Sequence, residues 1–296
     1  MRYLCVFNPQ AGNKNSIQSK NELEKNFKKY NIKVDWFISE YPHHAQELHK
    51  IKNLSDYKGI ISIGGDGTLF DIINAQMQLP KEKRIPLGII PAGTGNSVYI
   101  DLIGHEQNPE KAFQKILNGN IKKMDVMKAT NSINSFHFIN IMGFGFTTEV
   151  TQKAIKFKAL GKYAYSLAII LKLLSLKPYT LTMKSGEKEK QMNNLFVSIL
   201  NTRYAGGNLL MAPRAKIDDG LMDVIIVNDI SRYKLMKTFP KIYDGTYVNS
   251  PYVEYFQTKK IKFSAYDSKL LSPDGELSGA LPIEVEVIPN ALSVFG

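Results

Sequence analysis

Apolar and polar positions alternate in blocks along the first 120 residues. Residues 3–7 (YLCVF), 34–38 (VDWFI), 59–63 (GIISI) and 85–90 (IPLGII) are short apolar runs, as buried strands require. Between them, residues 17–29, 44–51 and 69–77 carry helical patterns. This alternation predicts a parallel, doubly wound α/β sheet, in which ligands sit beyond the carboxyl ends of the strands. After residue 122 the pattern changes. Seven alternating runs begin near residues 124, 136, 179, 195, 222, 260 and 283, separated by turn signals. They predict a mostly antiparallel β domain, interrupted by a helical insertion at about 150–176. The break at NGNIKK divides the chain into domains 1–121 and 122–296.

Each glycine-rich loop of the first half follows a predicted strand: NPQAGNK (8–14), GGDGT (64–68) and PAGTGNS (91–97). Three such loops on one sheet edge suit a phosphate, because glycine lets backbone N–H groups approach closely and helix N-termini favour anions. One glycine turn alone is only a tight turn. GGDGT, however, is expected by chance on the order of once per million positions. Asp66 repels an anion but can hold Mg²⁺ beside one. Neither GxxxxGK[ST] nor GxGxxG is present, so the nucleotide site is of another kind.

Composition narrows the function classes. Hydrophobic residues make up 44% and charged residues 22% of 296, which excludes a disordered chain. The net charge of +11 suits an anionic partner or simply a basic solvated surface. Cys5 is the single cysteine and lies in an apolar run, so no internal disulfide forms and a cytoplasmic location is expected. The longest apolar region, residues 164–176, is too short to span a bilayer and contains Lys172. No aromatic–basic RNA motif or helix-turn-helix pattern supports a nucleic-acid partner.

GGDGT, with NPQAG upstream and PAGTGN, DDGLMDV and DGE downstream, resembles the diacylglycerol kinase catalytic-domain superfamily over nearly the whole chain. That superfamily includes bacterial diacylglycerol kinases, sphingosine kinases and ceramide kinases. The resemblance implies a Rossmann-like α/β nucleotide-binding domain, similar to phosphofructokinase and NAD kinase, followed by a β-sandwich lipid-substrate domain. It implies an ATP- and Mg²⁺-dependent lipid kinase, peripheral on anionic membranes, and leaves a homodimer open. It places Asn8, Gly12, Gly65, Asp66, Gly67, Thr68 and Thr94 around the phosphates and Mg²⁺, with Ser39 and Asp71 also lining the nucleotide site. Two departures stand out. LFD replaces the family's usual LNE at Asp71. GTGNS replaces GTxND at Ser97, which is closer to the sphingosine and ceramide kinase branch.

By the same resemblance, Glu276 is the general base toward the lipid hydroxyl, and Asp274 orients it or the metal. From the residues alone, SPDGE is an Asp-Gly hairpin turn. Asp219 and the carbonyls of Lys216 and Leu221 would hold a structural Mg²⁺; from spacing alone they form an Asp-Gly turn. Glu149 matches an acid near the lipid headgroup. Residues 140–179 resemble the lipid-binding segment of sphingosine kinases, and Leu167, Ile170, Leu171 and Leu174 share one helical face. They form either a wall of an acyl-chain pocket or ordinary core. His43-His44 reads as a solvated loop and Trp36 as core. Two rival functions are a soluble-substrate kinase of the NAD kinase type and a non-catalytic binding protein.

Overall fold

The computed structural model describes residues 2–11, 15–51, 53–93, 95–157, 167–168, 171–172 and 177–296. They form two compact units, Met1–Asp125 with Asn290–Gly296, and Val126–Pro289.

In the first unit β1 (Arg2–Phe7), β2 (Lys33–Ile38), β3 (Ile60–Gly64) and β4 (Leu87–Pro91) are parallel in the order β2-β1-β3-β4. Cys5 pairs with both Trp36 and Ile61. Helices α1 (Asn15–Lys29), α2 (Asp66–Met77), α3 (Ser97–Ile103) and α4 (Pro109–Asn118) connect and flank the strands. The inner strands are near-continuous apolar runs because both of their faces are covered. β2 lies at the edge, so Trp36 is only half-buried rather than core. It packs edge-on against Phe7 and Phe27, with the Lys20 ammonium 4.5 Å from its ring. The chain turns outward from β1 in both directions, which puts the topological switch point between β1 and β3.

β5 (Ile121–Thr130) carries the chain into the second unit, an antiparallel assembly. There follow β6 (Ser135–Phe138), β7 (Ile141–Gly145), α5 (Phe146–Lys156), β8 (Tyr179–Ser185) and β9 (Lys188–Leu200). A two-stranded ribbon, β10 (Tyr204–Ala205) with β11 (Leu209–Leu210), precedes β12 (Met222–Asn228). The rest is α6 (Arg232–Thr238), β13 (Val253–Thr258), β14 (Lys260–Ala265), β15 (Leu271–Pro273) and β16 (Ile283–Phe295). The long β9 organises the unit. Its first half pairs with β8, its second half with β7 on one edge and β12 on the other. β16 then returns to the first unit, where Val294 pairs with Leu87 of β4. There Phe295 packs edge-on against Tyr3, and Asp125 accepts the Asn290 N–H.

Local differences from the pattern have physical causes. α2 begins at Asp66, so GGDGT is half strand end and half helix start. Residues 44–50 form a 3-10 helix rather than an α-helix. The run at 136–141 splits into β6 and β7, because the backbone at 139–141 turns to meet a buried carboxylate described below. In the predicted insertion, α5 starts at Phe146, and Leu167 and Leu171 are helical. Ile170 and Leu174 lie outside the described residues. Among the described residues, no helix is long and apolar enough to cross a membrane.

Candidate active site

The switch point gathers the first-unit candidates. Asn8 follows β1 and donates from Nδ2 to Thr68 Oγ1 at 3.3 Å, linking the first loop to the GGDGT turn. Gly65 is the extended N-cap of α2, and Asp66, Gly67 and Thr68 form its first turn. The third loop comes closer still. A Cβ on Gly93 would lie 2.4 Å from Gly65 Cα, and one on Gly65 would lie 3.2 Å from Gly93 Cα. The two backbones therefore touch where only hydrogen separates them, which is the physical need for glycine at both positions. Asn96, buried and left-handed at φ 54, locks the turn by exchanging hydrogen bonds with Gly93 O and N. Gly12 and Thr94 lie outside the described residues.

Asp66 is the centre of this cluster. Its Oδ2 accepts the Ser97 backbone N–H at 3.2 Å. Its Oδ1 is buried with no hydrogen-bond partner among the described residues. Burial pushes the Asp66 carboxyl up, and the hydrogen bonds from Ser97 and Val98 oppose that shift. A buried carboxylate oxygen without a donor is costly unless something binds it. A hard divalent cation suits that carboxylate oxygen.

Asp71, one turn further along α2, is held from the side. Gln46 Nε2 and His43 Nδ1 each lie 2.9 Å from its Oδ1. His43 is therefore an exposed partner of Asp71, not the merely solvated residue expected, and His44 stacks on Tyr41. Ser39 follows β2 and donates its N–H to Phe7 O. His43, Gln46 and the clamp by Ser97 had no local signal, since each depends on a partner 25 to 31 residues away.

In the second unit, SPDGE is a two-residue turn. Glu276 N–H donates to Pro273 O, and Asp274 and Gly275 both have positive φ, 46° and 87°. This is the type I′ geometry that Asp-Gly favours. Asp274 is buried, and its carboxylate accepts three backbone N–H groups: Asn140 and Ile141 on Oδ1, and Ile139 on Oδ2. β15 pairs with β7 alongside, so the turn is fixed at both ends. Glu276 stands two residues beyond Asp274 and is half-buried.

Glu149, in the first turn of α5, forms a 3.1 Å ion pair with Lys172 and borders a cavity of about 630 Å³. Gly145, Phe146, Tyr179, Lys177 and Lys269 also line it. A Cβ on Gly145 would lie 2.7 Å from the Tyr179 hydroxyl, so glycine admits the ring. That hydroxyl is buried without a hydrogen-bond partner among the described residues, and burial pushes it up.

Asp219 differs from Asp66. Its Oδ1 accepts the Leu221 N–H at 3.0 Å and its Oδ2 lies 3.4 Å from Gln257 Nε2. Lys216 is exposed in the turn before it. Among the described residues, no three His, Cys, Asp or Glu side chains form a metal cluster.

The first unit is an open parallel α/β sheet with glycine loops packed at its switch point, where such sheets bind ligands, and an antiparallel β unit follows it. Residues 2–129 match the diacylglycerol kinase catalytic domain, and residues 140–296 match the YegS C-terminal NAD kinase β-sandwich-like domain. A Chromohalobacter salexigens protein assigned as a YegS-like lipid kinase is 30% identical over 235 residues, spanning 79% of this chain and 74% of that one. Sphingosine kinase 1 of Arabidopsis thaliana is 24% identical, spanning 97% of this chain and 68% of that one. A crystal structure of a Bacillus anthracis protein assigned as a diacylglycerol kinase has a TM-score of 0.80 at 25% identity, covering 99% of this chain and 96% of that one. The chain belongs to the diacylglycerol kinase-type lipid kinase family.

Proposed function

We propose that the protein transfers the γ-phosphate of ATP to the hydroxyl of a diacylglycerol-like or sphingoid lipid. The first unit is the nucleotide half and the second the acceptor half. The observation that carries this reading is the Oδ1 of Asp66, buried and without a hydrogen-bond partner among the described residues, beside loops that only glycine can pack. Asp66 would hold Mg²⁺, which neutralises charge on the phosphates when bound. Backbone N–H groups of the GGDGT turn and the start of α2 hold the phosphate oxygens. Asn8, Gly12, Thr68 and Thr94 complete the cradle, while Ser39 and Asp71 also line the nucleotide site.

Glu276 acts as general base. Its carboxylate takes the proton of the acceptor hydroxyl as that oxygen bonds to the γ-phosphorus and the β–γ bridging bond breaks. Asp274 is a positioning residue. With three N–H groups on its carboxylate it is spent on the turn that carries Glu276. Glu149 meets the lipid headgroup at the mouth of the cavity. A second cation on Asp219 and the carbonyls of Lys216 and Leu221 is the finer part of this reading, as are a cytoplasmic location and docking on anionic membranes.

The test is transfer of labelled γ-phosphate from Mg²⁺-ATP to diacylglycerol, monoacylglycerol, sphingosine, dihydrosphingosine, ceramide and phosphatidylglycerol in mixed micelles, with NAD as soluble control. Label in one lipid class is expected. Label on NAD alone would overturn the lipid acceptor.

A further inference from the structure

The segment from Ser231 to Tyr243 has no part in the chemistry above, yet its surface is unusual. It comprises α6 and the 3-10 turn Phe239–Ile242 that follows. Leu235 and Ile242 are its buried anchors and join the apolar cluster of the second unit. Most of the remainder faces water. Tyr233 is 67% exposed, Met236 57% and Tyr243 55%. Tyr233 and Met236 are three residues apart on one helical face. Such large apolar groups are normally found exposed singly, and three within eleven residues form a ridge.

Its charge is one-sided. Arg232, Lys234, Lys237 and Lys241 are all exposed, and residues 231–243 contain no carboxylate. The Lys237 ammonium lies 4.5 Å from the Tyr233 ring and that of Lys234 4.8 Å from the Tyr252 ring. In these contacts neither lysine meets an acid: Lys237 lies over the Tyr233 ring, and Lys234 donates to the Tyr252 hydroxyl at the edge of its ring. An aromatic and a methionine tip surrounded by cations matches a surface that is anionic at its boundary and apolar just below. Nucleic acid would use the cations but leave Met236 without a partner. A second copy of this ridge would bring like charges together.

We infer that this ridge docks the protein on an anionic lipid surface, with Tyr233, Met236 and Tyr243 entering the headgroup boundary and the four basic side chains meeting lipid phosphates. The inference rests on the lipid-kinase reading for its purpose but not for its measurement.

The experiment is co-sedimentation of the full chain with vesicles of phosphatidylcholine, alone or containing about one third phosphatidylglycerol, without nucleotide. Binding to the anionic vesicles only is expected. Each basic residue removed should weaken partitioning about fivefold, so K237Q/K241Q should lose roughly twenty-five-fold, and less at high salt. Y233S/M236S, which keeps every charge, should also lose binding by tenfold or more on the order of its buried apolar area. The melting temperature, and phosphotransfer to acceptor dispersed in detergent, should be unchanged in both variants, the first showing on its own that they fold. Equal binding of the variants and the parent protein, no binding by the parent, or a variant that instead dissociates an oligomer in light scattering would each overturn the docking surface. So would a variant that keeps vesicle binding but loses affinity for a fluorescent duplex. Because binding is read without ATP, a parent protein that transfers no phosphate would refute the kinase reading while leaving this result to stand on its own.

Discussion

GGDGT and SPDGE each carry Asp-Gly at the end of a strand, and the two aspartates have opposite surroundings. Asp274 accepts three backbone N–H groups and has a fixed task within the fold. Asp66 accepts from Ser97 and Val98, while its Oδ1 is buried and without a hydrogen-bond partner among the described residues. The first carboxylate is saturated by its own chain. The same dipeptide thus serves as a brace in one unit and, on the function proposed above, as a cation ligand in the other, and the difference lies in where the donors come from.

The largest expected effect is just beyond the brace. Glu276→Gln should lower kcat by about 10²–10⁴-fold, with KM for ATP and the melting temperature nearly unchanged. Full activity in that variant would remove Glu276 from the base role, and with it the reason for the Asp274 brace. Asp66→Asn should raise the Mg²⁺ needed for half-maximal rate by at least the order of tenfold. It should also leave the melting temperature unchanged or raise it, since it discharges a buried, poorly paired group. The pH profile follows in sign. Burial raises the Asp66 carboxyl, so it takes up a proton while ordinary carboxylates are still ionised. The Mg²⁺ requirement should therefore climb as pH falls through that range, and this climb should vanish in Asp66→Asn. A profile identical in the two proteins would dissolve the contrast.

The smallest effect is on the brace itself. Asp274→Asn should cost about 2 kcal/mol, a fall of several degrees in melting temperature, because an amide cannot accept from all three donors. Its Mg²⁺ requirement should stay that of the parent protein. A changed Mg²⁺ requirement with an unchanged melting temperature would reverse the assignment of the two aspartates.

Much of this was legible in the sequence because it is local. The buried strands β1, β3 and β4 announce themselves as apolar runs, and Asp274-Gly275 announces its turn by the φ > 0 that both residues tolerate. The glycine loops were visible as motifs, but not why Gly65 and Gly93 must be glycine, since that depends on two loops from different strands touching. His43 was hidden for the same reason: its partner, Asp71, is 28 residues away. Strand β13 was missed because its residues are mostly half-buried and give no clean alternation. The brace by Asp274 joins residues more than 130 positions apart, beyond any periodic signal.

The return of residues 290–296 to the first unit has a consequence for synthesis. Val294 is the neighbour of Leu87, Ala291 O accepts from Arg84, and a Cβ on Gly59 would lie 2.8 Å from the ring of Phe295. A ribosome adds these residues only after all of 126–289 have been joined to the chain. The nascent first unit therefore waits with the side of β4 uncovered and the space beside Tyr3 and Gly59 unfilled, while the second unit can close around β9. In the growing chain, the part made first is the part finished last.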